Sequence, residues 1–451
     1  MKPEDTLDRP GDQIPKIKER KLGGGVVSPH TAAFDRGETP YFHGRETILD
    51  DFEDTLLRAV QSNGGTTHLF YGAPGAGKSA LLGHCRRIAL GAQWETATIT
   101  GTALYEPSEL LTALGREKEP LGIETTHGLD AKIYQGTMTR TRPDRTIGSI
   151  LADGEHPLLL LFDEAQMLGY GDDAPRGETL TTLKSTFELI HNGKVGRPIV
   201  MLIAGLRTAR STLKSLQITR FGEMNTTKLG LLSGAESRSV IRDWIVKYGM
   251  SKGDTAGWIN AIDAEAGRWP RHVHSYAKHA GEYLRAYGGV MTLEGLSAVM
   301  EKGLVGRIQY YKQRIEDFYV DERKHVAKAI SGYPSGTPFD RLDIIAHLSK
   351  IYGKKESKDI FDRLIDKGVV DEEGSEGYIV PIPSMHTWLV EEYAKGTLKG
   401  KDDDGKPKQL SPIPKQDLLP PEIPKQLSDR KGESSSSKTN NRGRSRWSNI
   451  P

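Results

Sequence analysis

The stretch "FYGAPGAGKSALLGHC", residues 70–85, restricts this chain more than any other part of it. It holds Gly72-x4-Gly77-Lys78-Ser79, the G-x-x-x-x-G-K-[ST] pattern, between an apolar run, "THLFY" (67–71), and a helical period, "SALLGHCRRIAL". A strand before and a helix after are the context this pattern requires. Its glycines let backbone N–H groups turn inward around a phosphate with no Cβ in the way, and the helix N-terminus adds partial positive charge. Gly72, Ala73, Pro74, Gly75, Ala76, Gly77, Lys78, Ser79 and Ala80 are therefore the expected cradle for a nucleoside triphosphate. In such a loop the lysine reaches the β- and γ-phosphates and the hydroxyl ligates Mg²⁺, so ATP and Mg²⁺ are the implied ligands.

Hydrolysis needs an acidic element at a neighbouring strand end. "PLLLLFDEAQ" supplies one, with Asp163 and Glu164 directly after the apolar run. Asp163 is the expected second metal-shell residue beside Ser79, and Glu164 the base that orients and deprotonates water. Lys78, Asp163 and Glu164 thus form the expected catalytic group within one chain.

The surrounding pattern is α/β. "THLFY" (67–71), "TATIT" (96–100), "PLLLLF" (157–162) and "PIVMLIA" (198–204) read as strands covered on both faces, and helical periods fill the gaps. "TLTTLKSTFELIHNG" places Leu180, Leu183, Phe187 and Ile190 on one face. Beyond about 230 strands become scarce, and a helical subdomain is expected. No run approaches the ~18 apolar residues of a membrane helix. The one cysteine, Cys85, excludes an internal disulfide. We expect a soluble, cytoplasmic chain with no membrane partner. A net charge of +2 argues against a surface basic all over.

The segments beyond these motifs carry a family resemblance. "PIVMLIAGLRTAR", "LQITRFGEMNTTKLGLLSGAESRSVI" and "EAGRWPRHVHSYAKHA" follow the two phosphate motifs in order, and "TPYFHGRETILDDFEDTL" precedes them. From Thr39 to about Tyr287 this arrangement resembles the AAA+ ATPases, in particular the origin-recognition, STAND and transposition-helper kinds. The resemblance implies that Arg220 is an arginine finger reaching a neighbouring subunit's nucleotide, hence a homo-oligomer. It implies that Phe42-His43-Gly44-Arg45-Glu46 borders the adenine pocket. AAA+ proteins carry a polar sensor where this third strand ends in Ala204-Gly205-Leu206, with Arg207 and Thr208 next. Pro270 stands where origin-recognition proteins carry a sensor arginine and STAND proteins a proline, which leaves Arg271 as the nucleotide-sensing candidate. His272 and His274 do not share a helix face, so no metal is assigned to them.

Residues about 320–395 read as three helices, a hairpin around Gly-Ser-Glu-Gly and a closing helix, the winged-helix order. The third helix carries Lys358, Arg363 and Lys367 after Lys354 and Lys355, with Ile360, Phe361 and Leu364 as its buried side. Such a helix can enter a DNA groove. The acidic hairpin, "DEEGSE", opposes that use, and packing on the chain's own core or on another protein stays open. A basic loop, "TRTRPDR" (139–145), is a further candidate contact for a polymer substrate. The expected organisation is an unstructured segment 1–38, an AAA+ core 39–228, a helical lid 229–319, the winged helix 320–395 and a basic tail 396–451. The tail has 12 Lys/Arg against 7 Asp/Glu. The functions in play are an ATP-hydrolysing switch acting on DNA, a STAND-like regulator whose winged helix or tail binds protein, and a scaffold with little turnover.

Overall fold

The computed structural model describes residues 39–116, 145–169, 174–218, 225–373 and 377–396, with the backbone alone at 21–22, 25–26, 124–127 and 138–141. Five parallel strands, β1 (Gly65–Tyr71), β2 (Glu95–Ile99), β3 (Leu158–Phe162), β4 (Ile199–Gly205) and β5 (Thr226–Lys228), form one sheet in the order β2-β3-β4-β1-β5. β3 and β4 are buried at every residue, which is why their sequences are unbroken apolar runs. Successive residues of each strand face opposite sides. Leu159, Leu161, Val200 and Leu202 pack with helices Glu46–Ser62 and Lys78–Gly91, whereas Leu158, Leu160, Ile199 and Met201 pack with helix Gly177–His191. In that last helix Leu183, Phe187 and Ile190 are buried and Leu180 partly so.

The four expected strands occur within two residues of their expected bounds. β5 has no such signal: Thr-Thr-Lys contains no apolar run, and it is a strand because its backbone pairs with Leu69–Tyr71 at the sheet edge. Register then sets the site. Tyr71 lies opposite Gly205 and Phe162 opposite Ile203, so the segments leaving β1, β3 and β4 emerge side by side.

Helices Gly234–Asp243, Ala256–Ala266, Pro270–Ala286 and Leu293–Ile315 follow, around a separate core that includes Trp244, Ile262, Tyr276 and Val299. The Ser-x-x-Glu that leads into them is a capping box. Ser233 Oγ accepts from the Glu236 N–H at 3.3 Å, and Glu236 Oε2 accepts from the Ser233 N–H at 2.6 Å. Pro270 occupies the first turn of its helix, where its missing N–H costs nothing.

The C-terminal module runs helix Val320–Ile330, helix Arg341–Tyr352, helix Lys354–Asp366, an antiparallel pair Asp371–Glu372 with Tyr378–Ile379, and helix Pro383–Leu389. This is the expected winged-helix order, and Ile360, Phe361 and Leu364 are its buried side. One hydrophobic cluster runs from Leu81 and Ala76 through Trp269, Tyr310 and Tyr311 to Val369 and Val370. The module therefore packs directly on the phosphate-loop side of the sheet. Among the described residues no helix is long and apolar enough to cross a membrane. The segments 1–20 and 397–451 lie outside the described residues.

Candidate nucleotide site

The loop after β1 has the geometry its glycines imply. Gly75 and Gly77 have φ of 83° and 91°, a region open to glycine and strained for other residues. A Cβ at Gly75 would also lie 2.9 Å from Trp269 Nε1 and 3.0 Å from Arg271 Cβ, because the lid helix rests on the loop there. Gly77 caps helix Lys78–Gly91, whose first intrahelical bond, Leu81 N–H to Gly77 O, leaves the N–H groups of residues 78–80 without helical acceptors. Lys78 is buried, and its Nζ donates to Gly72 O at 2.9 Å and Ala73 O at 3.3 Å. Burial lowers its pKa from the ordinary lysine value, while Glu164 and Asp163 oppose that shift.

The segment after β3 meets this loop. Ser79 Oγ donates to Asp163 Oδ2 at 2.6 Å, across 84 residues of chain. A hydroxyl and a carboxylate side by side suit Mg²⁺, which takes oxygen ligands, needs few from protein and completes its shell with water and phosphate. These residues fit the metal that the loop pattern implies. Asp163 Oδ1 accepts from the Glu164 N–H at 2.8 Å, and Glu164 sits at φ 55° with its carboxylate exposed toward the cleft.

Gln166 is a participant that sequence reasoning missed. It is buried; its Nε2 donates to the Glu164 carboxylate and its Oε1 accepts from the Leu206 N–H at 2.9 Å. It thereby ties Glu164 to the end of β4, where the chain runs Ala204-Gly205-Leu206. Gly205 stands there because a Cβ would come within 2.9 Å of that same Gln166 oxygen and 2.6 Å of Ala209 Cβ. Arg207, the polar residue that follows, points elsewhere: its Nε donates to Glu372 Oε2 and its Nη1 to Glu372 O, both at 2.8 Å.

A cleft of about 600 Å³ opens over the loop, lined on one side by Phe42, His43 and Arg45 and on another by Arg271, His274 and Arg314. The upstream element thus borders the same cleft as the phosphate loop. Gly44, at φ 84° with Glu236 against its α-carbon, and Arg45, which donates to Gly230 O at 2.6 Å, hold it there. Arg271 lines the cleft as expected, and its N–H donates to Gly75 O at 3.2 Å. His272 and His274 are buried, which pushes their pKa values down to about 3 and about 4.

The hairpin of the C-terminal module contacts the core beside this cleft. Besides the Arg207 bonds, Glu373 pairs with Lys228, and the buried Asp371 lies 3.9 Å from Arg207 Nε. Burial raises the Asp371 pKa. The hairpin's acidity, an obstacle to phosphate by sequence alone, is here the counter-charge to two core cations. A Cβ on Gly368 would lie 2.3 Å from Pro74 Cδ, and Tyr310 Oη donates to Pro74 O at 2.5 Å. Two of the basic residues expected to face a groove are engaged internally. Arg363 donates to the buried Glu322 at 2.5 Å and to Asp317 O at 3.1 Å, and Lys367 pairs with Asp317. Lys354, Lys355 and Lys358 are exposed.

Arg220 lies outside the described residues, as does 142–144 of the basic loop. The backbone at 138–141 is not loop but strand, paired antiparallel with 124–127. Arg314, Tyr310 and the hairpin contacts have no sequence signal, since each acquires its role only from long-range packing.

No protein-family model and no curated protein matches the chain. Among solved structures, the Aeropyrum pernix ORC2 protein in its ADPNP–ADP complexes is similar over 81% of this chain and 98% of that one, at 16% identity and a TM-score of 0.50. This chain shares the ORC2 fold. The ADP form of ORC2 covers 77% of this chain and 93% of its own length, with 16% identity and a TM-score of 0.48. The Aeropyrum pernix ORC1 protein in complex with DNA covers 78% and 93%, at 13% identity and a TM-score of 0.39. At this identity the ORC2 likeness speaks for the fold alone, an α/β core followed by a helical region and a C-terminal module.

Proposed function

We propose that this chain is an AAA+ ATPase that works as a switch, binding ATP with Mg²⁺ at residues 72–80 and hydrolysing it. The observation that carries the reading is the Ser79–Asp163 hydrogen bond of 2.6 Å beside a Lys78 whose hydrogen-bond partners among the described residues are carbonyl oxygens. Ser79 and Asp163 would hold the metal, which supplies charge neutralisation between the phosphates. Lys78 would exchange its carbonyl partners for phosphate oxygens, a gain because the new partners are anions. Glu164 would deprotonate the attacking water, kept in place by Gln166. Phe42 and His43 would border the base, and Arg271 would contact the nucleotide from the lid. Residues 39–228 would act as core, 229–319 as lid and 320–395 as the moving module, with Arg220 completing a neighbour's site in a homo-oligomer.

The reading is tested by calorimetric titration of the full chain with ATP and Mg²⁺, together with phosphate release. Heat of binding and slow turnover in the unsubstituted protein, with neither in Lys78→Ala, support it. An unsubstituted protein that takes up no ATP ends it.

A second layer is action on DNA, supported by exposed Lys354, Lys355 and Lys358 at the start of the module's third helix. The packing of the acidic hairpin on the core supports the rival use of this module, as an internal or protein-binding element.

A further inference from the structure

The long helix Leu293–Ile315 leaves the lid and leads into the C-terminal module. Its last two turns touch both the phosphate loop and the C-terminal module. Tyr310 bonds to the phosphate loop at Pro74 O (2.5 Å), while its neighbour Tyr311 bonds to Ser384 Oγ (2.6 Å) and packs its ring 5.4 Å from Trp388. One turn further on, Arg314 lines the same cleft as Lys78 and Glu164. The Arg314 guanidinium lies 4.9 Å from the Tyr310 ring centre and that of Arg271 lies 4.8 Å from it. A tyrosine fixed to the loop thus carries two cations toward one space.

The charge balance of that space is uneven. Arg45, Lys78, Arg271 and Arg314 line it, and Glu164 is the one carboxylate among its lining residues. Arg45 is occupied by the Gly230 carbonyl and Lys78 by loop carbonyls. Arg314 has no ion pair among the described residues, and its Nε is buried without a hydrogen-bond partner. Like charges gathered this way, in a partly desolvated cleft, favour a polyanion between them.

We propose that Arg314 is a phosphate-contacting residue for the nucleotide, reaching the β–γ end of the tail from the helix that bears the C-terminal module. The inference rests on the nucleotide reading given above. Because Tyr310, Tyr311 and Arg314 share one stretch of helix, a phosphate that draws Arg314 in also moves the contacts at Ser384 and Trp388. The bound nucleotide and the seat of the module are then coupled through a rigid element.

The test uses the full chain carrying Arg314→Met, which keeps an apolar stem over Tyr310, and Arg314→Lys, which keeps charge. Affinities for ATP, ADP and AMP are measured by calorimetry, with Lys78→Ala alongside. Removing a charge-assisted bond to phosphate should weaken ATP by about tenfold or more in Arg314→Met. AMP should bind as before, and Arg314→Lys should regain part of the affinity. Hydrogen exchange at 383–389 should change on ATP addition in the unsubstituted chain and not in Arg314→Met. Unchanged ATP affinity in Arg314→Met, while Lys78→Ala no longer binds, overturns the inference and leaves the nucleotide reading standing. Equal weakening of ATP, ADP and AMP overturns it in favour of plain support of the cleft. Absence of nucleotide binding by the unsubstituted chain overturns the parent reading and this inference with it.

Discussion

Lys78 in the phosphate loop and Arg363 in the C-terminal module are both cations that the sequence alone would aim at phosphate, yet their surroundings separate them. Lys78 is bonded to the carbonyls of Gly72 and Ala73. An incoming phosphate replaces neutral dipoles with a full negative charge, so the exchange is downhill. Arg363 is bonded to the Glu322 carboxylate and lies 4.7 Å over the Phe318 ring. A phosphate there would have to displace an anion already in place and leave Glu322, only 3% exposed, without its partner. The lesson is that a binding cation is marked by the weakness of its present partners. By that measure Arg314 belongs with Lys78, and Arg207 belongs with Arg363.

Three variants would break or sharpen this contrast. The largest effect belongs to a carboxylate on the open side of it: Glu164 faces the cleft with a neutral amide, Gln166, as its hydrogen-bond donor. Glu164→Gln should lower phosphate release by roughly a hundredfold or more while ATP binding persists, if Glu164 is the general base. A turnover unchanged from that of the parent chain would remove Glu164 from the chemistry and favour a scaffold with little turnover.

Next in size, Arg363→Ala should cost about 2 kcal/mol of stability, below the range for fully buried pairs because Arg363 is partly exposed. Denaturant unfolding measures it, and ATP affinity should stay the same. A stable Arg363→Ala that binds DNA less well would show that the Glu322 pair yields to phosphate after all, and the contrast with Lys78 would fail. The smallest effect is expected from joint replacement of Lys354, Lys355 and Lys358 by alanine, which should alter stability by no more than about 0.5 kcal/mol. If these residues meet DNA, the slope of log affinity against log salt should flatten by roughly 0.9 for each phosphate they neutralise. An unchanged slope would leave the module to protein contacts.

The sheet was legible in the sequence because β3 and β4 are covered on both faces and can be built only from apolar runs. β5 was not, since three residues at an edge carry no such demand and owe their conformation to Leu69–Tyr71. That Lys78, Ser79, Asp163 and Glu164 come together was legible for a different reason: each position follows from the turn or strand end in which the residue sits. Gln166 escaped because its meaning lies in Leu206 and Gly205, on another strand. Arg207 was named in the sequence only as a polar residue after the strand end, and its partner, Glu372, is visible only in the fold.

The residues themselves determined the loop, the acidic strand end, the capped lid and the order of elements in the C-terminal module. Each of these is written in contiguous residues, through φ angles open to glycine, strand burial and helix capping. Tertiary structure alone decided which charges remain available. Arg207 and Glu372 are 165 positions apart and Arg363 and Glu322 are 41, and no local pattern carries that information. Electrostatic pairing acts over a few ångströms in space whatever the distance along the chain, so only the folded arrangement separates a cation held by neutral carbonyls from one already neutralised.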